Sequence, residues 1–110
     1  TIKNNQTGAT EEIHPAGVFV FIGQTPNTAF LKESGIRLDR WGYIVTGHDL
    51  VHGAERPAGY EKREPSILET SIPGIFAAGD VRAGSTKQVA SASGEGATAA
   101  LLAREYLKTI

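Results

Sequence analysis

The stretch Thr70-Ser71-Ile72-Pro73-Gly74-Ile75-Phe76-Ala77-Ala78-Gly79-Asp80-Val81-Arg82 decides the fold class. Four apolar residues, Ile75 to Ala78, are entered through Pro73-Gly74 and left through Gly79-Asp80, which reads as a short buried strand bounded by turn residues. In open α/β sheets ligands bind beyond the carboxyl ends of strands, and Asp80 stands at that position. A Gly-containing loop, Arg82-Ala83-Gly84, then leads toward a helix start. A carboxylate for ligand hydroxyls and free backbone N–H groups for an anionic oxygen would meet there. The same local pattern also fits an Asp that merely caps a turn.

Downstream lies the clearest helix, spanning about Thr86 to Lys108. Val89, Ala92, Gly96, Ala99, Ala103 and Leu107 recur every three or four residues and predict one apolar stripe. Ser85 followed by Gln88 has the spacing of a capping box. Gly and Ala dominate the first turns of the stripe, so the helix is expected to approach a neighbour closely.

Upstream, Gly17-Val18-Phe19-Val20-Phe21-Ile22-Gly23 is an unbroken β-branched and aromatic run, which predicts a strand buried on both faces. Gln24-Thr25-Pro26-Asn27 stops it. A short helical piece is expected over residues 29–33, and two short strands about a Gly turn over residues 38–46. Residues 47–69 lose all periodicity and mix Gly53, Pro57, Gly59 and Pro65 with charges of both signs. Loops longer than about 12–15 residues are usually functional or disordered, so this segment is expected to be a polar insertion outside the core. At the start, Asn5-Gln6-Thr7-Gly8 between Ile2-Lys3-Asn4 and Glu11-Glu12-Ile13 predicts a polar hairpin.

Composition narrows the function classes. With 11 Lys and Arg against 12 Asp and Glu, the chain is nearly neutral and has no basic cluster, so neither nucleic acid nor an anionic membrane is an expected partner. The longest apolar run is far short of the roughly 20 residues that cross a bilayer. There is no cysteine, which excludes a disulfide framework or a thiolate-bound cluster within the segment and agrees with a cytoplasmic setting. The absence of methionine marks the sequence as an expected excised piece.

Three groups of residues together resemble the C-terminal part of thioredoxin reductase and its flavoprotein relatives: residues 18–28 with Gln24-Thr25-Pro26-Asn27, Gly42-Tyr43-Ile44-Val45-Thr46, and the stretch quoted first. Lys87-Gln88-Val89 and Gly94-Glu95-Gly96 continue the match. The resemblance implies an α/β fold of the two-domain FAD- and NAD(P)-binding type. Residues 1–26 would be the last strands of the NAD(P)H domain, and residues 27–110 the closing part of the FAD domain. It implies a cofactor site of Gly79, Asp80, Val81, Lys87, Gln88, Val89 and Ala92, in which Asp80 meets the ribityl and phosphate region of FAD and the loop from Val81 to Thr86 wraps it. Lys87, Gln88 and Val89 would lie beside the isoalloxazine ring, and Ala92 with Gly96 would let the helix lie close. A helix N-terminus there, with about half a positive charge, favours the anionic reduced flavin. The position of Lys87 is commonly Arg in the family, and Lys lacks Arg's planar fork.

The glycine-rich phosphate turns and the redox cysteines of the family belong to regions outside this segment. Gly94-Glu95-Gly96-Ala97-Thr98-Ala99 fits Gly-x-Gly-x-x-Ala but falls inside the helical pattern, where close packing explains it better than phosphate binding. His48 and His52 lack helical context and a third ligand, so they read as loop histidines rather than a metal site. Trp41 and Tyr43 could stack on a base, but a single Trp beside a turn reads rather as a packing residue. No histidine is tied to a nucleophile, which leaves hydrolysis without support.

The expected function is therefore flavin binding within an oxidoreductase that passes electrons from NAD(P)H through FAD to thioredoxin or another disulfide. The segment alone is expected to be inactive, and the parent a homodimer. Alternatives are a ferredoxin- or flavodoxin-type reductase of the same fold without redox cysteines, or a non-catalytic interaction module.

Overall fold

A computed structural model describes residues 1–52 and 55–110; Gly53 and Ala54, part of the expected insertion, lie outside the described residues. The chain extends over 63 × 28 × 23 Å. Its length comes from an N-terminal arm, residues 1–25, exposed throughout. The arm carries the expected hairpin. Strands β1 (Ile2–Lys3) and β2 (Thr10–Glu11) pair antiparallel with Ile2 opposite Glu11. Asn4 shapes the connection, its Oδ1 accepting from the N–H groups of Gln6 (2.8 Å) and Thr7 (3.1 Å).

The run at residues 18–22 is not a buried strand here. Its side chains are 71% to 92% exposed, and its backbone has no ladder partner among the described residues. A strand of this composition is buried only when neighbouring strands and covering helices are supplied from elsewhere in the fold, and nothing else in the described chain packs on it.

The body begins near Pro26. A 3₁₀ turn at Ala29–Leu31 matches the expected short helical piece. The two strands expected over residues 38–46 shrink to a single antiparallel bridge, Leu38 to Ile44, because the turn at residues 39–42 consumes the intervening residues. Ile44 also pairs in parallel with Arg82: its N–H donates to Val81 O at 3.0 Å, and its carbonyl accepts from Ala83 N at 2.8 Å. This parallel contact places the Gly79-Asp80 turn beside Tyr43. Residues 68–70 and 75–77 form a second antiparallel pairing, with Thr70 N bonded to Ile75 O and Ala77 N to Leu68 O. In the expected strand at residues 75–78, Ala77 is buried while Ile75 is exposed.

The expectation that residues 47–69 lie outside the core is overturned. Leu50 and Tyr60 are wholly buried, Leu68 nearly so, and Pro57 and Pro65 are buried with them. Tyr60 donates to Thr70 O at 2.7 Å, and Arg37 holds the carbonyls of Leu50 and Glu55 at 2.8 Å each. Aperiodic sequence conceals such a core because each buried side chain is placed by a different turn.

Helix α1 spans Val89–Leu107. It starts three residues later than the expected Thr86, and the capping box does not form: Gln88 is the N-cap without a side-chain bond, while Ser85 Oγ accepts from Lys87 Nζ. The inward face also differs. Ala92, Glu95, Ala99, Leu102, Ala103 and Tyr106 turn toward the body, whereas Val89, Gly96 and Leu107 face outward. Packing against the Gly79–Val81 turn rotates the stripe, because Glu95 finds strong donors there. No helix among the described residues is long and apolar enough to cross a membrane.

Candidate functional site

The turn at Gly79–Val81 follows the antiparallel pairing of residues 75–77, leads into the parallel contact at Arg82 and abuts α1. Gly79 is required by its backbone, whose φ is +81°, and a Cβ there would just touch that of Ala92 at 3.4 Å. Ala92 thus brings the helix as close as a side chain allows. Gly79 N–H donates to Glu95 Oε2 at 2.7 Å, and Arg82 grips the same carboxylate through Nε at 3.1 Å and through Nη2. Both side chains of this ion pair are largely buried. The Arg82 guanidinium, with the Gly79 N–H, holds the Glu95 carboxyl below the usual carboxylate range against the opposing effect of burial.

Glu95 was absent from the residues expected at the site, although its position three residues after Ala92 was the available signal. It clamps the turn that presents Asp80. Replacing Glu95 with Ala should destabilise the fold by about 1–2 kcal/mol, since it leaves the Gly79 N–H buried and unpaired. Urea unfolding measures this; a loss under about 0.5 kcal/mol, the scatter of an ordinary surface change, would show that the clamp does not carry the turn.

Asp80 itself is exposed and accepts no hydrogen bond among the described residues. With Val81, Tyr43 and residues 24–27 it lines a groove of about 250 Å³. Tyr43 was expected as a packing or stacking residue, and residues 24–27 as a strand stop at the junction of the two domains. The structure brings both to Asp80 through the parallel pairing of Ile44 with Arg82. Tyr43 donates from its hydroxyl to Gln24 O at 3.0 Å, tying the crossing segment to the groove.

Lys87 is the one described non-glycine residue with positive φ, at 60°. Its Nζ donates to Arg82 O at 2.8 Å and Ser85 Oγ at 2.6 Å, and lies 4.1 Å from the centre of the Tyr43 ring. These contacts offset the roughly 1–2 kcal/mol cost of the left-handed backbone and fix a positive charge beside the groove. Gln88 and Val89 are exposed at the start of α1. No side chain caps that end, so the first-turn N–H groups of α1 face outward as donors. The structure therefore gathers Gly79, Val81, Lys87 and Ala92 around the loop, with Asp80, Gln88 and Val89 at its open side.

His48 and His52 stack edge to face with ring centres 3.9 Å apart, and the described residues contain no group of three or more metal-ligating side chains. Trp41 is 62% exposed, not packed, with Arg40 over its ring.

Known proteins match this chain along almost its whole length. Thioredoxin reductase 1, mitochondrial, of Arabidopsis thaliana is 38% identical over 109 residues, covering 99% of the chain and 24% of the relative. The thioredoxin reductase of Treponema pallidum is 38% identical over 109 residues, covering 99% of the chain and 29% of the relative. The crystal structure of thioredoxin reductase from Streptococcus pyogenes superposes with a TM-score of 0.68 at 32% identity, over 98% of the chain and 29% of that structure. The chain thus spans less than a third of the length of the relatives it matches. Residues 1–96 match the family model described as pyridine nucleotide-disulphide oxidoreductase, and the chain belongs to that family.

Proposed function

We propose that this chain is the flavin-clasping C-terminal part of a thioredoxin reductase-like oxidoreductase. In this reading residues 1–26 close the NAD(P)H domain and residues 27–110 complete the FAD domain. The observation that carries it is the free Asp80 carboxylate, presented over a groove by a turn that Glu95, Arg82 and Ala92 hold against α1.

The residues present fit a flavin. A carboxylate without a protein donor suits the hydroxyls of a ribityl chain, and uncapped N–H groups at the start of α1 suit an electron-rich ring edge. Gly79 and Ala92 remove side-chain bulk where the loop and helix meet. FAD, when bound, supplies the hydride chemistry between nicotinamide and acceptor. The protein's part here is orientation and charge: Asp80 fixes the polyol, Lys87 adds a positive field, and Gln88 and Val89 border the ring.

The relatives' names favour a thioredoxin-like protein as acceptor, with another disulfide as the alternative; a cytoplasmic homodimer is proposed for the parent from the absence of cysteine and the family resemblance, not from those names. Asp80→Ala in the flavoprotein is expected to weaken FAD retention by ten- to a hundredfold, as for a charged hydrogen-bond acceptor of about 1.5–3 kcal/mol. Flavin absorbance after gel filtration tests this; full, tightly held FAD in the variant would remove Asp80 from the site.

A further inference from the structure

We propose that His48 and His52 form a two-imidazole site for a divalent transition cation of the nickel, copper or zinc class. Neither residue lines the Asp80 groove, so the site stands apart from the flavin reading. The sequence around the pair has no helical period, but the structure supplies the single turn that matters. Residues Gly47–Leu50 form a 3₁₀ turn, and His52 N–H donates to His48 O at 3.2 Å, the closure that brings side chains four apart to one side. The two rings meet with centres 3.9 Å apart.

That turn is fixed from the core side. Gly47 N–H donates to Glu69 O at 2.9 Å, Leu50 is wholly buried, and Arg37 donates to Leu50 O at 2.8 Å. With Leu50 turned inward, His48, Asp49 and His52 are exposed. Neither imidazole makes a hydrogen bond or an ion pair among the described residues, so their nitrogen lone pairs are free. A cation bound by two imidazoles at about 2.0–2.1 Å holds the ring centres roughly 5 Å apart, which a small rotation of two exposed side chains provides. Asp49 adds a negative charge on the same turn, and the nearby Arg82 is already neutralised by Glu95. The described residues contain no group of three or more metal-ligating side chains, so water fills the remaining positions. Imidazole selects nickel, copper and zinc, whereas Mg²⁺ and Ca²⁺ take oxygen ligands.

The test is calorimetric titration of Ni²⁺ into the full 110-residue chain, which has no cysteine to compete, with Mg²⁺ as the control. One Ni²⁺ per chain is expected, and the urea midpoint should rise with Ni²⁺ by mass action, a response that a merely structural stacked pair would not give. His48→Ala and His52→Ala should each weaken Ni²⁺ binding about tenfold or more, because the second ligand acts at high effective concentration. The double variant should bind no more weakly than either single one, since a chelate is lost with its first arm. His14, on the N-terminal arm beside Glu12 at 3.6 Å, remains in every variant as the single-imidazole baseline. Wild-type affinity in either single variant, losses that add in the double variant, or equal binding of Mg²⁺ would each overturn the proposal. None of these outcomes bears on Asp80, whose reading is tested by flavin retention alone.

Discussion

Replacing Gly47 with Ala is expected to lower the stability of the body by about 3 kcal/mol, combining a left-handed backbone penalty with overpacking against main chain. Gly47 has φ +60° and is buried. A Cβ there would stand 2.6 Å from Ile67 O and 3.0 Å from the Ile67 carbonyl carbon. Backbone atoms cannot swing aside as a side chain does. The shift needed would also strain the bond from Gly47 N to Glu69 O, 2.9 Å long, which joins the start of the 47–69 segment to its end. Urea unfolding of the variant checks this. A loss below about 1 kcal/mol would mean that residues 66–68 yield freely and that the segment is not part of the cooperative core.

Glu69→Gln should cost about 2–3 kcal/mol near neutral pH, with a pH dependence that identifies the cause. Glu69 is fully buried, and Arg63 meets it with two bonds of 2.7 Å. Ser66 N donates to it at 2.9 Å and Gly74 N at 2.8 Å. Burial alone would push this carboxyl up; the Arg63 guanidinium and then the Gly74 and Ser66 N–H groups outweigh it and bring it down to about 2. The folded value lies below the unfolded one, so the carboxylate's contribution is full above about pH 4.5 and disappears as pH falls toward 2. The stability gap between wild type and Glu69→Gln should therefore narrow across that window. Parallel curves over the whole range would show that the ion pair carries no net stability. Glu69's charge and, above all, burial also push the neighbouring Tyr60 hydroxyl upward, so Tyr60 stays protonated and keeps donating to Thr70 O.

Both predictions concern the 47–69 segment, where reading from sequence failed most clearly. Proline, glycine and mixed charges are the composition of a solvated loop. Here Arg63 neutralises Glu69 while its guanidinium lies over the Tyr60 ring, so the carboxylate's charge becomes internal. A carboxylate's partner several residues away in an aperiodic stretch leaves no spacing signal. By contrast, the turn around Asp80 was legible, because Pro73-Gly74 and Gly79-Asp80 are local punctuation with one conformational meaning. Its partners in the groove were not, since Tyr43 reaches Asp80 only through the pairing of Ile44 with Arg82.

By itself the sequence determined the features whose causes lie within a few residues: the Asn4 hairpin, the break at Pro26, the Gly79-Asp80 turn and a C-terminal helix. Only the tertiary structure decided what is buried. It exposed residues 18–22, on which no other strand or helix of the described residues packs. It turned Glu95 rather than Gly96 inward, because the Gly79 N–H and Arg82 are the strongest donors within reach of α1. Secondary-structure preference is a property of neighbours along the chain, whereas burial and charge pairing belong to neighbours in space, and those are fixed only when distant segments meet.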